Sequence, residues 1–176
     1  SDVIIIDNSA ASTGGGIYTY GGTFTNISIS GNSAIFGGGV SINANDESNA
    51  TDPIFNNVIV YDNTSTYGAG FSINYSNPTL INATIYGNSA NTDGGGIFVS
   101  NTSPIPVLKN SIVWNNTPNE IGDPGVDEII VSYSDIQGGW EGTGNINADP
   151  LFVDAANGDY HLSDYSPAIG AGTSDG

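Results

Sequence analysis

The sequence predicts an all-β protein, a right-handed parallel β-helix (solenoid) of about six to seven coils with irregular C-terminal coils. Glycine-rich runs begin at residues 14, 37, 68 and 94, at spacings of 23, 31 and 26 residues. An asparagine precedes each run, and a short segment of alternating apolar and polar residues follows it. Strand-sized segments that repeat at this interval are typical of stacked coils.

The segments after the glycine runs have the period of a β-strand. Residues 17–20, 40–43 and 71–74 alternate apolar with polar side chains, which is the pattern of a strand with one buried face. The content of glycine, asparagine and β-branched residues argues against helix. The longest repeat has its extra residues in the polar stretch 45–49, which we expect to form a surface loop.

Aligning the repeats places apolar residues in three columns, which should stack about 4.8 Å apart inside the coil. The columns are Ile5, Ile29, Val60, Ile85 and Val113; Ile17, Val40, Phe71 and Ile97; and Phe24, Phe55, Leu80 and Leu108. Each buried Ile, Val or Phe stabilises a fold by about 1.5–3 kcal/mol. These columns are therefore the predicted core.

Two asparagine columns fall where we expect the strands to bend. They are Asn26, Asn57, Asn82 and Asn110, and Asn8, Asn32, Asn63, Asn88 and Asn116. Asparagine tolerates left-handed backbone and can hydrogen-bond its counterpart one coil away. The glycine runs are predicted to form turns that other residues would form only with strain.

The stretch from Phe24 through Asn26 and Asn32 to the glycine run at 37–39 resembles the parallel β-helix repeat of bacterial surface proteins. It is particularly similar to the repeats of the chlamydial polymorphic outer-membrane proteins, which pair a Phe-x-x-Asn element with a Gly-Gly-Ala-Ile element. The resemblance covers residues 1–117 and implies the fold. It names no ligand.

The last third of the chain loses the glycine run. We therefore predict regular β-helix coils over 1–117, and irregular final coils with a C-terminal cap over 118–176. The succession of segments 131–140, 144–152, 158–162 and 166–172 resembles the closing segment of many secreted, anchored bacterial β-helix proteins. That family usually has an acid where this chain has Gly170. The resemblance implies an exported protein.

The charge balance excludes several classes of partner. Lys109 is the only Lys or Arg among 176 residues, against 18 acidic residues, and the net charge is −17. Such a surface repels phosphate backbones and anionic membranes, so we predict no nucleic-acid partner and no membrane insertion. No apolar run approaches the roughly 20 residues that span a bilayer.

Catalytic groups are sparse. Pectate-lyase-like chemistry requires Arg or Lys to neutralise a uronate and abstract a proton, and only Lys109 could serve. Hydrolysis requires two carboxylates at a suitable spacing, and five acids of the last third offer them: Asp135, Glu141, Asp149, Asp154 and Asp159. Because these lie in turn-like contexts, we predict no catalytic residues. A glycoside hydrolase is the runner-up, and a lyase is disfavoured.

No cofactor is predicted, with calcium as the alternative. Asp154, Asn157 and Asp159 offer oxygen ligands suited to calcium. Their spacing fits neither an EF-hand loop nor the calcium-binding nonapeptide repeats, so turn capping is the preferred interpretation and metal ligands stay unassigned. His161 lies in an alternating strand, where a packed or edge histidine is commoner than a base.

One outward column is the predicted ligand-binding site. Tyr61, Tyr86 and Trp114 each follow an inward member of the first apolar column, so they should stack on one face. Such an aromatic ladder stabilises a parallel sheet by itself. It also offers a flat platform for sugar rings or for a partner protein.

Together these features predict a non-catalytic structural or adhesive protein of the cell surface. We expect it to be a stiff β-helical rod or the subunit of a fibre. The alternatives are a carbohydrate-binding module and a polysaccharide-degrading β-helix enzyme. Residues 3–6 already belong to a strand with no cap before it, so we expect open β-helix ends and head-to-tail self-association through them. A polysaccharide or a host or cell-surface molecule is the other predicted partner.

Overall fold

The computed structural model describes residues 3–44, 52–100, 105–122 and 129–174. They form an all-β parallel β-solenoid of about 5 turns with 2% helix. The fold class is confirmed, but the predicted coil count is too high, because the end of the chain leaves the stack and packs on its side. The right-handed winding stays a prediction that rests on the strong preference of parallel crossovers. The predicted loop at 45–49 lies outside the described residues.

The strands follow one another around the coil. In chain order they are β1 (Val3–Ile6), β2 (Ile17–Thr19), β3 (Thr23–Ser30), β4 (Val40–Asn43), β5 (Ile54–Tyr61), β6 (Thr64–Tyr67), β7 (Phe71–Asn74), β8 (Thr79–Tyr86), β9 (Ser89–Asp93), β10 (Ile97–Ser100), β11 (Val107–Lys109), β12 (Ile112–Trp114), β13 (Ile121–Gly122), β14 (Ile130–Ser132), β15 (Asp135–Ile136), β16 (Phe152–Asp154) and β17 (Asp159–Leu162). A 3-10 turn at Ala155–Asn157 joins the last two strands.

Parallel pairing stacks the strands into three faces. The first sheet contains β1, β3, β5, β8, β11, β12, β14 and β15, and the second contains β2, β4, β7, β10 and β13. The third face contains β6 and β9 and continues through single bridges such as Ser9 to Ser33. β16 and β17 form an antiparallel hairpin. The predicted division between residues 117 and 118 stays a prediction. β13, which follows this position in the chain, still pairs with β10 of the regular coils.

The three predicted apolar columns are confirmed in register. Ile29 pairs with Val60, Val40 with Phe71, and Phe55 with Leu80. These six side chains have no exposed surface. The columns continue into the last coils through Val113 to Ile136, Ile97 to Ile121 and Leu108 to Val131. The core is therefore one cluster that runs along the axis of the stack.

The first asparagine column bends the first sheet as predicted. Asn26, Asn57, Asn82 and Asn110 all have left-handed backbone, with φ of 56°, 55°, 53° and 51°. The Nδ2 of Asn57 also donates a hydrogen bond to Oδ1 of Asn26 at 2.7 Å. Each bend divides a long strand such as β3 or β5 into two arms, which turns the chain around the core.

The second asparagine column was wrongly assigned to a bend. Here the residue before each asparagine takes the left-handed conformation: Asp7, Gly31, Asp62, Gly87 and Asn115, with φ between 52° and 65°. The two glycines lie beneath carboxylates, since a Cβ on Gly31 would approach Oδ1 of Asp7 to 2.2 Å, and one on Gly87 would approach Oδ1 of Asp62 to 2.8 Å. The bend at this position directs the asparagine that follows into the coil.

Inside the coil these asparagines form a continuous ladder of hydrogen bonds. Oδ1 of Asn63 accepts from the backbone N–H and the Nδ2 of Asn32, both at 3.0 Å. Oδ1 of Asn88 accepts from the backbone N–H and the Nδ2 of Asn63, at 3.0 and 2.9 Å. Oδ1 of Asn116 accepts from the same two groups of Asn88, both at 2.9 Å. Asn32, Asn63 and Asn88 have no exposed surface. Because a buried amide is costly unless it is bonded, every coil requires the asparagine of the next.

The third glycine of each run makes room for this ladder. A Cβ on Gly39 would lie 3.1 Å from Nδ2 of Asn63 and 2.8 Å from the carbonyl oxygen of Gly70. Gly16, Gly70 and Gly96 are confined in the same way by the asparagine of the following coil. The first glycine of each run has the turn role that was predicted, with φ of 64°, 67°, 63° and 62° at Gly14, Gly37, Gly68 and Gly94. The glycine run and the asparagine therefore form one packing unit.

We expect Asn63→Ala to destabilise the fold by about 2–4 kcal/mol. The substitution removes the acceptor for two donors of Asn32, and it removes the Nδ2 donor that bonds to the carbonyl oxygen of Ile29. Urea unfolding followed by circular dichroism measures the loss. Asn91→Ala is the control: its side chain is exposed, and the change should stay within about 0.5 kcal/mol. Equal losses for the two variants would contradict the ladder's role.

Candidate functional site

The aromatic column lies on the outer face of the first sheet. Tyr61 pairs with Tyr86, and Tyr86 with Trp114, in the register of β5, β8 and β12. Their inward neighbours Val60 and Ile85 lie in the core, so the three rings project outward. All three side chains are half-buried. The three residues therefore lie side by side on one face, as the alignment of the repeats predicted, and their binding of a ligand stays a prediction.

The C-terminal hairpin packs over part of this column. The ring of Tyr160 on β17 lies 5.1 Å from that of Tyr61 and 5.3 Å from that of Tyr86, measured between centroids. The ring of Phe152 on β16 lies edge-on to Tyr86 at 5.7 Å. Tilted and edge-to-face contacts at these distances are favourable beyond the area they bury. Tyr61 and Tyr86 therefore hold the hairpin, and they are not the open platform that the sequence predicted.

Trp114 borders a cleft of about 290 Å³ at the edge of the hairpin. The other walls include Tyr86, Asp149, Pro150 and Phe152. This cleft combines aromatic faces with one carboxylate, which are groups that bind sugar rings and hydroxyls. It is the part of the aromatic column that stays available to a ligand.

Tyr160 is the most strongly perturbed ionisable group of the hairpin. Burial raises the pKa of its phenol far above the ordinary value, and the negative charge of Asp62 raises it further. Burial also raises the pKa of the Asp62 carboxyl. The phenol of Tyr160 therefore stays neutral, as its packing role requires.

The tail beyond the hairpin is fastened to the stack by Asn110. Its Nδ2 donates to the carbonyl oxygen of Thr173 at 2.9 Å, and its Oδ1 accepts from the backbone N–H of Thr173 at 2.9 Å. Between tail and sheet lies a cleft of about 310 Å³ whose walls include Asn82, Tyr133 and Asp135. The bend asparagine thus has a second function that its place in the repeat did not reveal.

Three of the five candidate acids for hydrolysis line three different clefts. Asp135 lines the cleft under the tail, Asp149 lines the cleft beside Trp114, and Glu141 lines a third cleft near Trp140. A glycoside hydrolase places both carboxylates on either side of one scissile bond. Asp154 and Asp159, the other two candidates, are paired across the β16–β17 hairpin. The absence of catalysis stays a prediction.

The residues considered for calcium bond to one another or to close neighbours. Nδ2 of Asn157 donates to Oδ2 of Asp154 at 2.7 Å, and Nδ1 of His161 lies 2.5 Å from Oδ1 of Asp159. The backbone N–H of His161, and then its ring, lower the pKa of Asp159. These contacts are those of a capped turn. Within the described ranges, no three His, Cys, Asp or Glu side chains come close enough to hold a metal.

Three residues that sequence reasoning missed cover the C-terminal end of the coils. Trp140 packs against the core cluster and lines a cleft with Ile130 and Val131 of β14, the last strand in the order of the first sheet. Asn145 accepts the backbone N–H of Ser134 at 3.1 Å through Oδ1 and donates to the carbonyl oxygen of Val131 at 3.1 Å. Glu120 ends the asparagine ladder, because its carboxylate accepts from the backbone N–H and the Nδ2 of Asn116. Its position four residues after the last repeat asparagine was the available signal.

Comparison with models of known protein families, with curated proteins and with solved structures found no match. Among the described residues, none of the helical segments has the length and apolar character needed to cross a membrane. The likeness to the repeats of polymorphic outer-membrane proteins therefore stays a prediction from the sequence.

Glu120 gives the end of the ladder a defined pH dependence. Burial raises the pKa of its carboxyl, although the hydrogen bonds from Asn116 oppose the shift. Because the pKa is higher in the folded protein than in the unfolded chain, Glu120 makes its full contribution to the free energy of unfolding below the ordinary carboxyl pKa. This contribution is lost as the pH rises through the pKa of the folded protein. Glu120→Gln keeps an acceptor for Asn116 and removes the buried charge.

We expect Glu120→Gln to be at least as stable as the parent protein near pH 7, with the difference shrinking toward about pH 4. Glu120→Ala should lose about 1–3 kcal/mol at both pH values, because two donors of Asn116 lose their acceptor. Thermal unfolding of the three proteins across this pH range is the measurement. A glutamine variant as unstable as the alanine variant at pH 7 would refute this role.

Proposed function

We propose that the chain is a non-catalytic structural or adhesive protein of the cell surface, in which the β-solenoid is a stiff rod. The observation that carries the proposal is the uninterrupted ladder from Asn8 to Glu120, together with a core that runs the length of the stack. Every coil is bonded to its neighbours through buried side chains, and coils held in this way resist bending and local opening.

The surface chemistry supports this proposal. A net charge of −17 keeps a protein soluble and unattractive to nucleic acids and anionic membranes, as suits an exposed surface component. The resemblance of the repeat to that of bacterial surface proteins, including the polymorphic outer-membrane type, favours the same location. The extracellular location is part of the proposal.

Self-association belongs to the proposal in a restricted form. Head-to-tail stacking requires the C-terminal end of one copy to receive the first coil of another. At that end Glu120 already occupies the donors of Asn116, and Trp140 covers the core. Stacking through this end would have to displace both residues, so we favour a rod that does not polymerise by itself.

A polysaccharide panel tests the absence of catalysis. We expect the parent protein and its Asp135→Asn and Glu141→Gln variants to release no reducing sugar beyond the buffer blank. Release by the parent that is lost in either variant would establish a glycoside hydrolase instead. Antibody labelling of intact source cells tests the location: labelling should occur without permeabilisation, and labelling only after permeabilisation would reject a surface role.

The cleft beside Trp114 favours a second candidate, a carbohydrate-binding module. Its walls offer the indole of Trp114, the phenol of Tyr86 and the carboxylate of Asp149. A side chain that stacks on a sugar contributes roughly 1–3 kcal/mol to binding, as other hydrophobic contacts of that size do. If the module binds polysaccharide, retention on an affinity gel should be lost in Trp114→Ala.

Tyr165→Ala is the matched control for this test, because Tyr165 is 90% exposed and forms none of the ring contacts of the described residues. Loss of retention in Trp114→Ala alone, with an unchanged circular dichroism spectrum, supports the module. Equal retention by parent and both variants removes this candidate.

A further inference from the structure

The tip of the C-terminal hairpin contains the only asparagine of this chain that is followed by glycine, Asn157 before Gly158. Asparagine is abundant in the repeats, but every other asparagine is followed by a residue that has a side chain. The 3-10 turn Ala155–Asn157 joins β16 to β17, and both Asn157 and Gly158 are exposed. This pair therefore lies in water at a point where the backbone turns sharply.

The pair contains the two groups of an intramolecular reaction. The backbone nitrogen of Gly158 is a nucleophile, and its attack on Cγ of Asn157 closes a five-membered ring. A side chain on the second residue would hinder this approach, and glycine has none. Gly158 has a φ of 79°, and because it lacks a Cβ it also tolerates the other conformations that the turn passes through when it opens.

Few contacts keep the turn closed. The backbone N–H of Gly158 donates to the carbonyl oxygen of Ala155 at 3.1 Å, and Nδ2 of Asn157 donates to Oδ2 of Asp154 at 2.7 Å. None of the three residues of the turn is buried. Hydrogen bonds at an exposed tip of this kind open at little cost in free energy. Opening releases the nitrogen of Gly158 for the attack.

The asparagines of the ladder lack this freedom. Asn63 and Asn88 have no exposed surface. The residue that follows each of them has its N–H fixed between two coils: Thr64 donates to the carbonyl oxygen of Asn32, and Ser89 to that of Asn63, both at 2.9 Å. Attack by either nitrogen requires coils to separate, which costs far more than opening a turn.

We propose that Asn157 deamidates spontaneously in the folded protein, through a succinimide that it forms with Gly158. The nitrogen of Gly158 bonds to Cγ of Asn157, and the side-chain nitrogen leaves as ammonia with the proton that Gly158 gives up. Water then opens the ring. Breaking the bond to Cγ gives aspartate, whereas breaking the bond to the backbone carbonyl carbon gives isoaspartate, whose main chain runs through Cβ and Cγ.

Both products change the hairpin where it meets the aromatic column. A carboxylate at position 157 cannot donate to Asp154, and it adds a negative charge beside that residue. Isoaspartate also lengthens the main chain next to Gly158, where a Cβ would lie 3.9 Å from Oη of Tyr61. β17, which places Tyr160 against Tyr61, begins directly afterwards. Deamidation therefore loosens the part of the hairpin that covers the column.

The test is to age the full folded chain in mildly alkaline buffer and to map its chymotryptic peptides by mass spectrometry. Cleavage after aromatic residues releases 153–160, in which Asn157 is the only asparagine, and 87–98, which contains buried Asn88 and exposed Asn91. Replacement of NH₂ by OH should proceed at least about tenfold faster in 153–160 than in 87–98. Part of the product should be isoaspartate, which direct hydrolysis of the amide cannot form.

Asn157→Gln is the matched control, because it keeps an amide but requires a larger ring for the same attack. Peptide 153–160 of this variant should keep its mass under the same treatment. The amide hydrogens of β17 should exchange faster in the aged parent protein than in the aged variant. Equal exchange in the two proteins would contradict the loosening of the hairpin.

Two results would overturn the proposed reaction. One is a peptide 153–160 that keeps its mass in the folded chain and changes only in urea, because the closed turn would then protect Asn157. The other is a product that contains aspartate alone, which would exclude the succinimide. The proposed structural role does not depend on the hairpin tip, so it stands or fails separately from this inference.

Discussion

Each coil of this solenoid is joined to the next through one asparagine side chain that is buried inside the coil. The ladder has a direction: Oδ1 of each asparagine accepts from the backbone and side-chain N–H groups of the coil before it. The donors of Asn63 therefore depend on Asn88, and those of Asn116 depend on Glu120. Because a buried amide without partners is costly, the ladder couples the coils, and the stack is most stable when every member is present.

Several other features follow from the need to house these amides. Glycine occupies the third position of each run because a Cβ there would meet the next coil's asparagine or the backbone opposite it, as at Gly39. The residue before each asparagine takes a left-handed conformation to turn the amide inward, as at Gly31 and Asp62. The apolar columns then fill the rest of the interior, and Trp140 covers their C-terminal end. Because the ladder ends in the carboxylate of Glu120, whose pKa is raised by burial, the stability of the last coil depends on pH.

The sequence predicted the features that repeat and missed those that occur once. Columns such as Val60 over Ile29 follow from period and spacing, because identical positions in successive coils must meet in a parallel stack. The hydrogen bonds between successive asparagines were placed correctly, but the bend beside them was misplaced by one residue. Both the bend and the buried amide favour Asn, Asp and Gly, so composition cannot separate adjacent positions. The contact of Tyr160 with Tyr61 joins residues far apart in the chain and has no counterpart in other coils. No repeating pattern in the sequence could therefore predict it. The burial of Asp135 likewise depends on the segment around Ala148, which bonds to Oδ1 of Asp135 and has no counterpart in other coils.

The most direct test of this account is the exchange rate of the side-chain amide protons, measured by nuclear magnetic resonance in deuterated buffer. If the ladder holds the stack, the Nδ2 protons of Asn63 and Asn88 exchange only when coils open, at least about 10³-fold more slowly than those of the exposed Asn91. Exchange of the ladder amides at the rate of Asn91 would show that they are accessible to water, and it would contradict the claim that buried asparagines join the coils.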